Sequence, residues 1–152
     1  MLNITHTKSF TLNEPIEMVF PLFSAEGETK WVPNWDYENI IESNELHENY
    51  VFLTTNHDHS TTKAIWIVKR YDPEQHVIQF YKVEPEQKVG IISVSCSALS
   101  NSITEISVTY EYIGISDEGR KFIHTFTSEE YEKFIDEWEQ LLTAYFNTTK
   151  RS

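Results

Sequence analysis

"FTSEEYEKFIDEWEQLLTAY", residues 126–145, decides the fold. Tyr131, Phe134, Ile135, Trp138, Leu141, Leu142 and Tyr145 recur at steps of three and four. Glu129, Glu132, Lys133, Asp136, Glu137 and Gln140 fill the opposite face. That spacing predicts an amphipathic helix of about six turns at 3.6 residues per turn. Thr127 and Glu130 fit a capping box at its start, and Phe126 with Tyr131 fits a hydrophobic staple. A shorter helical piece, Asp117 to His124, leads into it. A stripe this rich in aromatics must be buried against a broad apolar surface.

The strands upstream supply that surface. In "SITEISVTYEYIGI" (102–115), Ile106, Val108, Tyr110 and Tyr112 oppose Glu105, Ser107, Thr109 and Glu111. In "KVGIISVSCSAL" (88–99), Ile92, Val94, Cys96 and Ala98 oppose Ser93, Ser95 and Ser97. One sheet face should therefore be dry and the other wet, as when helices cover a single side. Further upstream, "YENIIES" (37–43), "NYVFLTT" (49–55), "TTKAIWIVKRY" (61–71) and "HVIQFYKVEP" (76–85) read as short strands. The last two are joined by "DPEQ", a turn sequence with Pro second. The strand around Trp66 is apolar on both parities, so the direction of Trp66 stays open. Leu2 to Leu12 is rich in β-branched residues and reads as the first strand. "NEPIEMVFPLF" (13–23) follows it as a short helix, with Asn13 as N-cap, Glu14 and Pro15 in the first turn, and Pro21 ending or kinking it. Strand, short helices, antiparallel meander, long helix: this order predicts an α+β two-layer sandwich with a curved sheet wrapped around the C-terminal helix. Where the helix does not fill the curve, an apolar pocket with a few orienting polar groups is expected.

Bulk properties narrow the function. A chain of 152 residues suits one domain, 1–152, able to bury roughly 68–70% of its unfolded surface without a disulfide or metal. Twelve basic and 24 acidic residues give a net charge of −12, which repels nucleic acid and anionic membrane surfaces. The lone Cys96 rules out an intrachain disulfide. No stretch resembles a signal peptide or approaches the ~20 apolar residues that cross a bilayer. The expectation is a soluble cytoplasmic protein, with which a homodimer is compatible.

Three stretches carry a resemblance: "EPIEMVFPLFSAEGETKWVPNW" (14–35), "AIWIVKRYDPE" (64–74) and "GRKFIHTFTSEEYEKFIDEWEQLL" (119–142). With the element order, they resemble the START-like (SRPBCC) helix-grip superfamily, which includes the birch-pollen allergen and the polyketide cyclases. A helix followed by "GE" and then W-x-P-x-W looks like bacterial members of uncharacterised function. The resemblance covers nearly the whole chain. It implies a small hydrophobic ligand, lipid-like or polyketide-like, held between the long helix and the sheet. Some members are cyclases, some carriers and some co-chaperones. No established catalytic motif and no cofactor carries over.

Each candidate residue has a plain reading beside the functional one. Glu28 lies three residues from Trp31, so a helical turn would make them neighbours, and a desolvated carboxyl would suit acid–base work. The plain reading of Glu26 and Glu28 is a solvated loop carboxylate or one making a helix-terminal hydrogen bond. Trp31 and Trp35 could close the pocket or simply plug the end of the sheet. Tyr110 and Tyr112, on the dry face, are candidates to orient a polar group of a ligand. Trp66, Val94, Cys96, Phe134 and Trp138 complete the predicted lining. Cys96 reads as a small buried core residue rather than a nucleophile. His57 and His59 in "NHDHS" could share one strand face, but no third metal ligand is evident and a polar turn fits better. Four glycines and no Walker or G-x-S-x-G pattern leave no phosphate cradle. Three functions follow: a non-enzymatic carrier of a hydrophobic molecule, a cyclase-like enzyme using Glu28 or a tyrosine, and a co-chaperone-like interaction module needing a large exposed apolar patch.

Overall fold

A computed structural model of the protein describes residues 3–41, 46–55 and 63–150. Its elements, in chain order, are β1 (Asn3–Leu12), α1 (Ile16–Val19), a 3-10 turn (Phe20–Phe23), α2 (Ala25–Glu28), β2 (Glu38–Asn39), β3 (Val51–Thr55), β4 (Lys63–Asp72), β5 (Val77–Glu84), β6 (Lys88–Ser100), β7 (Ile103–Gly114), α3 (Asp117–Thr125) and α4 (Ser128–Lys150). The described strands form one antiparallel sheet in the order β1-β7-β6-β5-β4-β3-β2. Consecutive strands are hairpin neighbours except β1, which crosses over to pair with β7 from Asn3↔Ile113 to Leu12↔Thr104. The sheet curves around α4, giving the α+β helix-grip architecture.

The long helix forms as its sequence dictates. Tyr131, Ile135, Trp138, Leu142 and Phe146 make the buried stripe. The Thr127 hydroxyl accepts the Glu130 amide at 3.2 Å, and the Phe126 and Tyr131 rings lie 5.7 Å apart. The Glu130 carboxylate faces Lys133 at 3.6 Å. The β4–β5 turn is fixed by Asp72, whose carboxylate accepts the Gln75 amide at 3.0 Å.

Four expectations need correction. Helix α1 begins at Ile16, with Pro15 at its cap and no side-chain cap bond, so Asn13 is not the N-cap. A residue before proline is disfavoured in the α region, which keeps Glu14 out of the helix; its carbonyl instead accepts the Thr104 hydroxyl at 2.7 Å. Pro21 then sits in the 3-10 turn that follows. The second correction concerns the convex face. It is polar along cross-strand rows such as Thr7–Thr109–Ser93–Gln79, but the row Leu53–Ile65–Val83–Val89–Ile113 is wholly apolar and half-buried. The serine-rich parity of β6 does not extend over β3 to β5, which is why Trp66 could not be oriented by pattern. Its ring faces inward and is buried. The predicted "YENIIES" strand shrinks to Glu38–Asn39, and Ala98, at the end of its row, is exposed. The edges of the strand predictions at Leu2, 42–43 and 61–62 lie outside the described residues.

Candidate functional site

The segment between β1 and the meander folds into a small scaffold. Ser24 caps α2 by accepting the Gly27 amide at 2.9 Å. Gly27 passes so close to the preceding turn that a Cβ there would lie 2.1 Å from the Pro21 carbonyl oxygen. Two indoles then pin the chain. Trp31 Nε1 donates to the Leu22 carbonyl at 2.7 Å, and its ring packs on Phe23 and Trp138. Trp35 Nε1 donates to the Ala25 carbonyl at 2.7 Å, and its ring meets Phe52 and Trp66 edge-on. Asn34 adopts a left-handed φ of 59° in the turn between them, a conformation asparagine tolerates.

This scaffold closes one side of a hollow of about 220 Å³ between α4 and the sheet. Val32, Pro33, Asn34 and Asp36 form its rim, with Thr54 and Thr55 from β3. Trp35, Trp66, Phe134 and Trp138 form its aromatic walls. Besides Asp36 at the rim, three ionisable side chains reach it from separate elements: Glu28 from α2, Lys82 from β5 and Tyr110 from β7. Trp66 is held in place by donating from Nε1 to the Thr54 hydroxyl at 2.9 Å.

A second hollow of about 390 Å³ adjoins it. Tyr112, Phe122, Thr125, Phe126 and Glu130 line it, and it shares Lys82, Tyr110 and Phe134 with the first. The register explains how Lys82 and Tyr112 both fit. Lys82 and Tyr112 are the cross-strand neighbours of Gly90 on either side. A Cβ on Gly90 would lie 2.9 Å from Tyr112 Cε1, so the missing side chain lets the phenol lie across β6. Lys82 Nζ in turn stands 5.3 Å from the Trp66 ring centroid. At the far edge Glu84 and Lys88 form a buried ion pair at 3.1 Å, with Lys88 Nζ 3.9 Å from the Phe122 centroid.

The electrostatics follow from this enclosure. Desolvation raises the Glu28 carboxyl well above the ordinary 4.5, opposed by the positive charge of Lys82. Glu28 keeps some surface, and that surface faces the hollow rather than a helix-free loop. Burial also raises the Tyr110 phenol, and the negative potential of Tyr112 and Glu28 adds to the shift. Tyr112 and Tyr131 are raised by burial as well. The Tyr131 hydroxyl is already used, donating to the Val108 carbonyl.

Six of the ten predicted lining residues, Glu28, Trp35, Trp66, Tyr110, Phe134 and Trp138, meet at the first hollow. Tyr112 lines the second. Trp31, Val94 and Cys96 stand on neither wall. Trp31 is a buried prop behind Trp138. Val94 and Cys96 lie further along β6 in close packing, Val94 between Ile78 and Val108 and Cys96 beside Ile106. Burial pushes the Cys96 thiol up to about 12, far from a nucleophile's range. Glu26 is exposed on the other side of α2. His57 and His59 lie outside the described residues, and among the described residues no cluster of His, Cys, Asp and Glu could hold a metal ion. Lys82, shared by both hollows, is among the lining residues that sequence reasoning missed. The interior glycine at position 90 was a usable signal, since glycine inside a strand marks a close approach of another group.

No family model and no curated protein matches the chain. Solved structures do. Norcoclaurine synthase from Thalictrum flavum, in complex with dopamine and hydroxybenzaldehyde, superposes with a TM-score of 0.65 at 11% identity, over 93% of this chain and 87% of the enzyme. Major latex-like protein 151 from Panax ginseng gives a TM-score of 0.70 at 14% identity, over 95% and 98% of the two chains. An uncharacterized protein from Bacillus thuringiensis gives 0.64 at 14% identity, over 94% and 99%. The chain thus shares the helix-grip fold of these solved structures. No helix among the described residues is long and apolar enough to cross a membrane.

Proposed function

We propose that the protein binds a small hydrophobic molecule between α4 and the concave face of the sheet. One observation carries this reading: a hollow of about 220 Å³ with four aromatic walls, into which Glu28, Lys82 and Tyr110 converge from three separate elements. Apolar enclosure with a few placed polar groups is the usual constitution of a small-molecule site. A scaffold protein would gain stability by filling that space, because voids forfeit packing contacts. The ring compounds bound to norcoclaurine synthase on the same fold are of a size that suits these walls. The test is a titration with 2-naphthol followed by tryptophan fluorescence. Saturable quenching at one molecule per chain is expected, and it should be lost in Val32→Trp, which fills the rim. Non-saturating quenching that is unchanged in Val32→Trp would sink the reading.

A second reading is acid–base catalysis by Glu28, favoured by its desolvated carboxyl beside Lys82. Such a group should speed proton exchange next to a bound carbonyl. Washout of α-deuterium from 2-tetralone, followed by NMR, should be faster with the protein and revert to the free rate in Glu28→Gln. No acceleration would remove the enzyme reading.

A further inference from the structure

The outward face of the sheet is written in two chemistries. The cross-strand rows Gln79–Ser93–Thr109–Thr7 and Ser95–Ser107–Ser9 are polar. Two residues along the strands the row becomes Val51–Ile67–Tyr81–Ile91 and ends at Glu111. Two residues further it is Leu53–Ile65–Val83–Val89–Ile113. Every apolar residue of these two rows is half-buried. Threonine branches at Cβ as valine does and serves a strand as well, so strand formation does not call for aliphatics here. Beyond the rows, Ile115, two residues past Ile113, is 52% exposed, and Ile40, directly after β2 at the other edge, is 54% exposed. A contiguous apolar face of this kind marks a contact surface. We propose that it is the interface of a homodimer, in which a second copy lays the same two rows on it about a two-fold axis running along the strands between β5 and β6.

Size and charge select a second copy. Five strands at about 4.8 Å and two rows about 6.8 Å apart make an apolar core on the order of 300 Å². A polar rim brings each side to about 500 Å², so the total is about 1,000 Å², the lower bound for specific association. The convex curvature of the face keeps the contact at that bound, and a dissociation constant of about 10 µM is expected. The charges are placed for a two-fold axis. Lys69 on β4 stands beside the first apolar row, with Nζ 5.5 Å from the Tyr81 ring centroid. Glu111 on β7 ends that row, and its carboxylate accepts Asn3 Nδ2 at 3.4 Å. The axis carries β5 onto β6 and β4 onto β7. Val83 then meets the partner's Val89, Tyr81 meets the partner's Ile91, and Lys69 comes beside the partner's Glu111. A net charge of −12 opposes self-association elsewhere on the chain. At this face opposite charges meet twice, and an unrelated partner would have to match both the width of the rows and the reversed order of the charges.

The test is sedimentation equilibrium of the intact protein from about 1 to 300 µM, which brackets the expected constant. The mass should rise from one chain toward two. Val83→Thr/Ile91→Thr keeps the branching at Cβ and should show the parent's circular dichroism, while its dimer weakens at least about tenfold through lost apolar burial. Lys69→Glu and Glu111→Lys should each weaken the dimer about fivefold, and their combination should restore it. Within one chain these two residues lie on β4 and β7, with β5 and β6 between them, so the restoration reports a contact between copies. A parent that stays monomeric at the highest concentration overturns the proposal. Cosedimentation of that monomer with phosphatidylcholine vesicles, lost in Val83→Thr/Ile91→Thr, would assign the face to lipid instead. A folded threonine variant that dimerises as tightly as the parent also overturns it, as does a charge-swapped double variant no tighter than either single one.

Discussion

Along β6 and β7 the concave face changes character within four residues. At Val94 and Val108 it is close-packed: Ile78, Cys96 and Ile106 surround the pair, and the Cys96 amide donates to the His76 carbonyl at 2.9 Å under the edge of Phe20. At Gly90 and Tyr112 it is hollow, with Lys82 reaching across from β5. The same two strands, with the same alternation, give a solid end and an open end. The difference lies in side-chain size and polarity. β-Branched residues at the solid end fill the space under the helix, whereas a missing side chain, a long amine and two phenols at the open end hold it apart. Stability and binding are therefore expected to separate along the strand axis.

The largest effect should come from the open end's own support. Glu84 and Lys88 are both nearly inaccessible, with side-chain exposures of 8% and 6%. Lys88→Met leaves the Glu84 carboxylate buried without its counter-charge and should destabilise the fold by about 4 kcal/mol. The double variant Glu84→Leu/Lys88→Met should recover most of that loss, because two apolar side chains replace a desolvated pair. Urea denaturation of the single and double variants reads both numbers. A single variant as stable as the parent would mean that the pair does not hold the open end.

At the solid end, Ile106→Ala should cost about 3 kcal/mol, since Ile106 is fully buried and its neighbours cannot collapse far. Binding of 2-naphthol to the folded fraction should be unchanged. A loss of affinity with the fold intact would show that the two ends are coupled after all.

This contrast also explains what could be read in advance. The α4 stripe, the alternation in β6 and β7, and the order of elements were legible because each depends on periodicity within one segment. So was the cluster of Glu28, Trp35, Tyr110, Phe134 and Trp138, because the fold brings the short helices over the dry face. Lys82 was not legible. In β5 its inward parity also carries Ile78, Phe80 and Glu84, while the outward parity carries Val77, Gln79, Tyr81 and Val83. Neither parity is clearly apolar, so the face had to come from the register with Gly90 and Trp66. Val94 and Cys96 were placed in the lining because dryness was equated with the pocket. A dry position that is close-packed lines nothing.

Cys96 offers a smaller test of the solid end. Its thiol, pushed up to about 12 by burial, should resist alkylation by iodoacetamide at pH 8 in the folded protein. Cys96→Ala should cost about 1 kcal/mol, the transfer free energy of roughly one buried methylene-sized group. Rapid labelling without unfolding would reveal that this end opens.

The smallest stability effect is assigned to Glu28, because the positive charge of Lys82 offsets part of the desolvation of its carboxyl. Its sign is nevertheless fixed. The folded protein holds the Glu28 proton more tightly than the unfolded chain does, since desolvation raises the carboxyl well above 4.5. Below 4.5 both states are protonated and Glu28 has no effect. As pH rises above 4.5 the unfolded chain releases its proton first, so the folded state is progressively disfavoured until the folded carboxyl also ionises. Glu28→Gln, a neutral isostere, should therefore be more stable than the parent near pH 7 and indistinguishable from it near pH 4. Lys82→Met should enlarge the gap, because the ammonium is the charge that now eases ionisation of Glu28. Parallel denaturation curves at the two pH values measure it. A parent that gains stability relative to Glu28→Gln as pH rises would place the carboxylate in an ion pair instead of in a desolvated position at the first hollow.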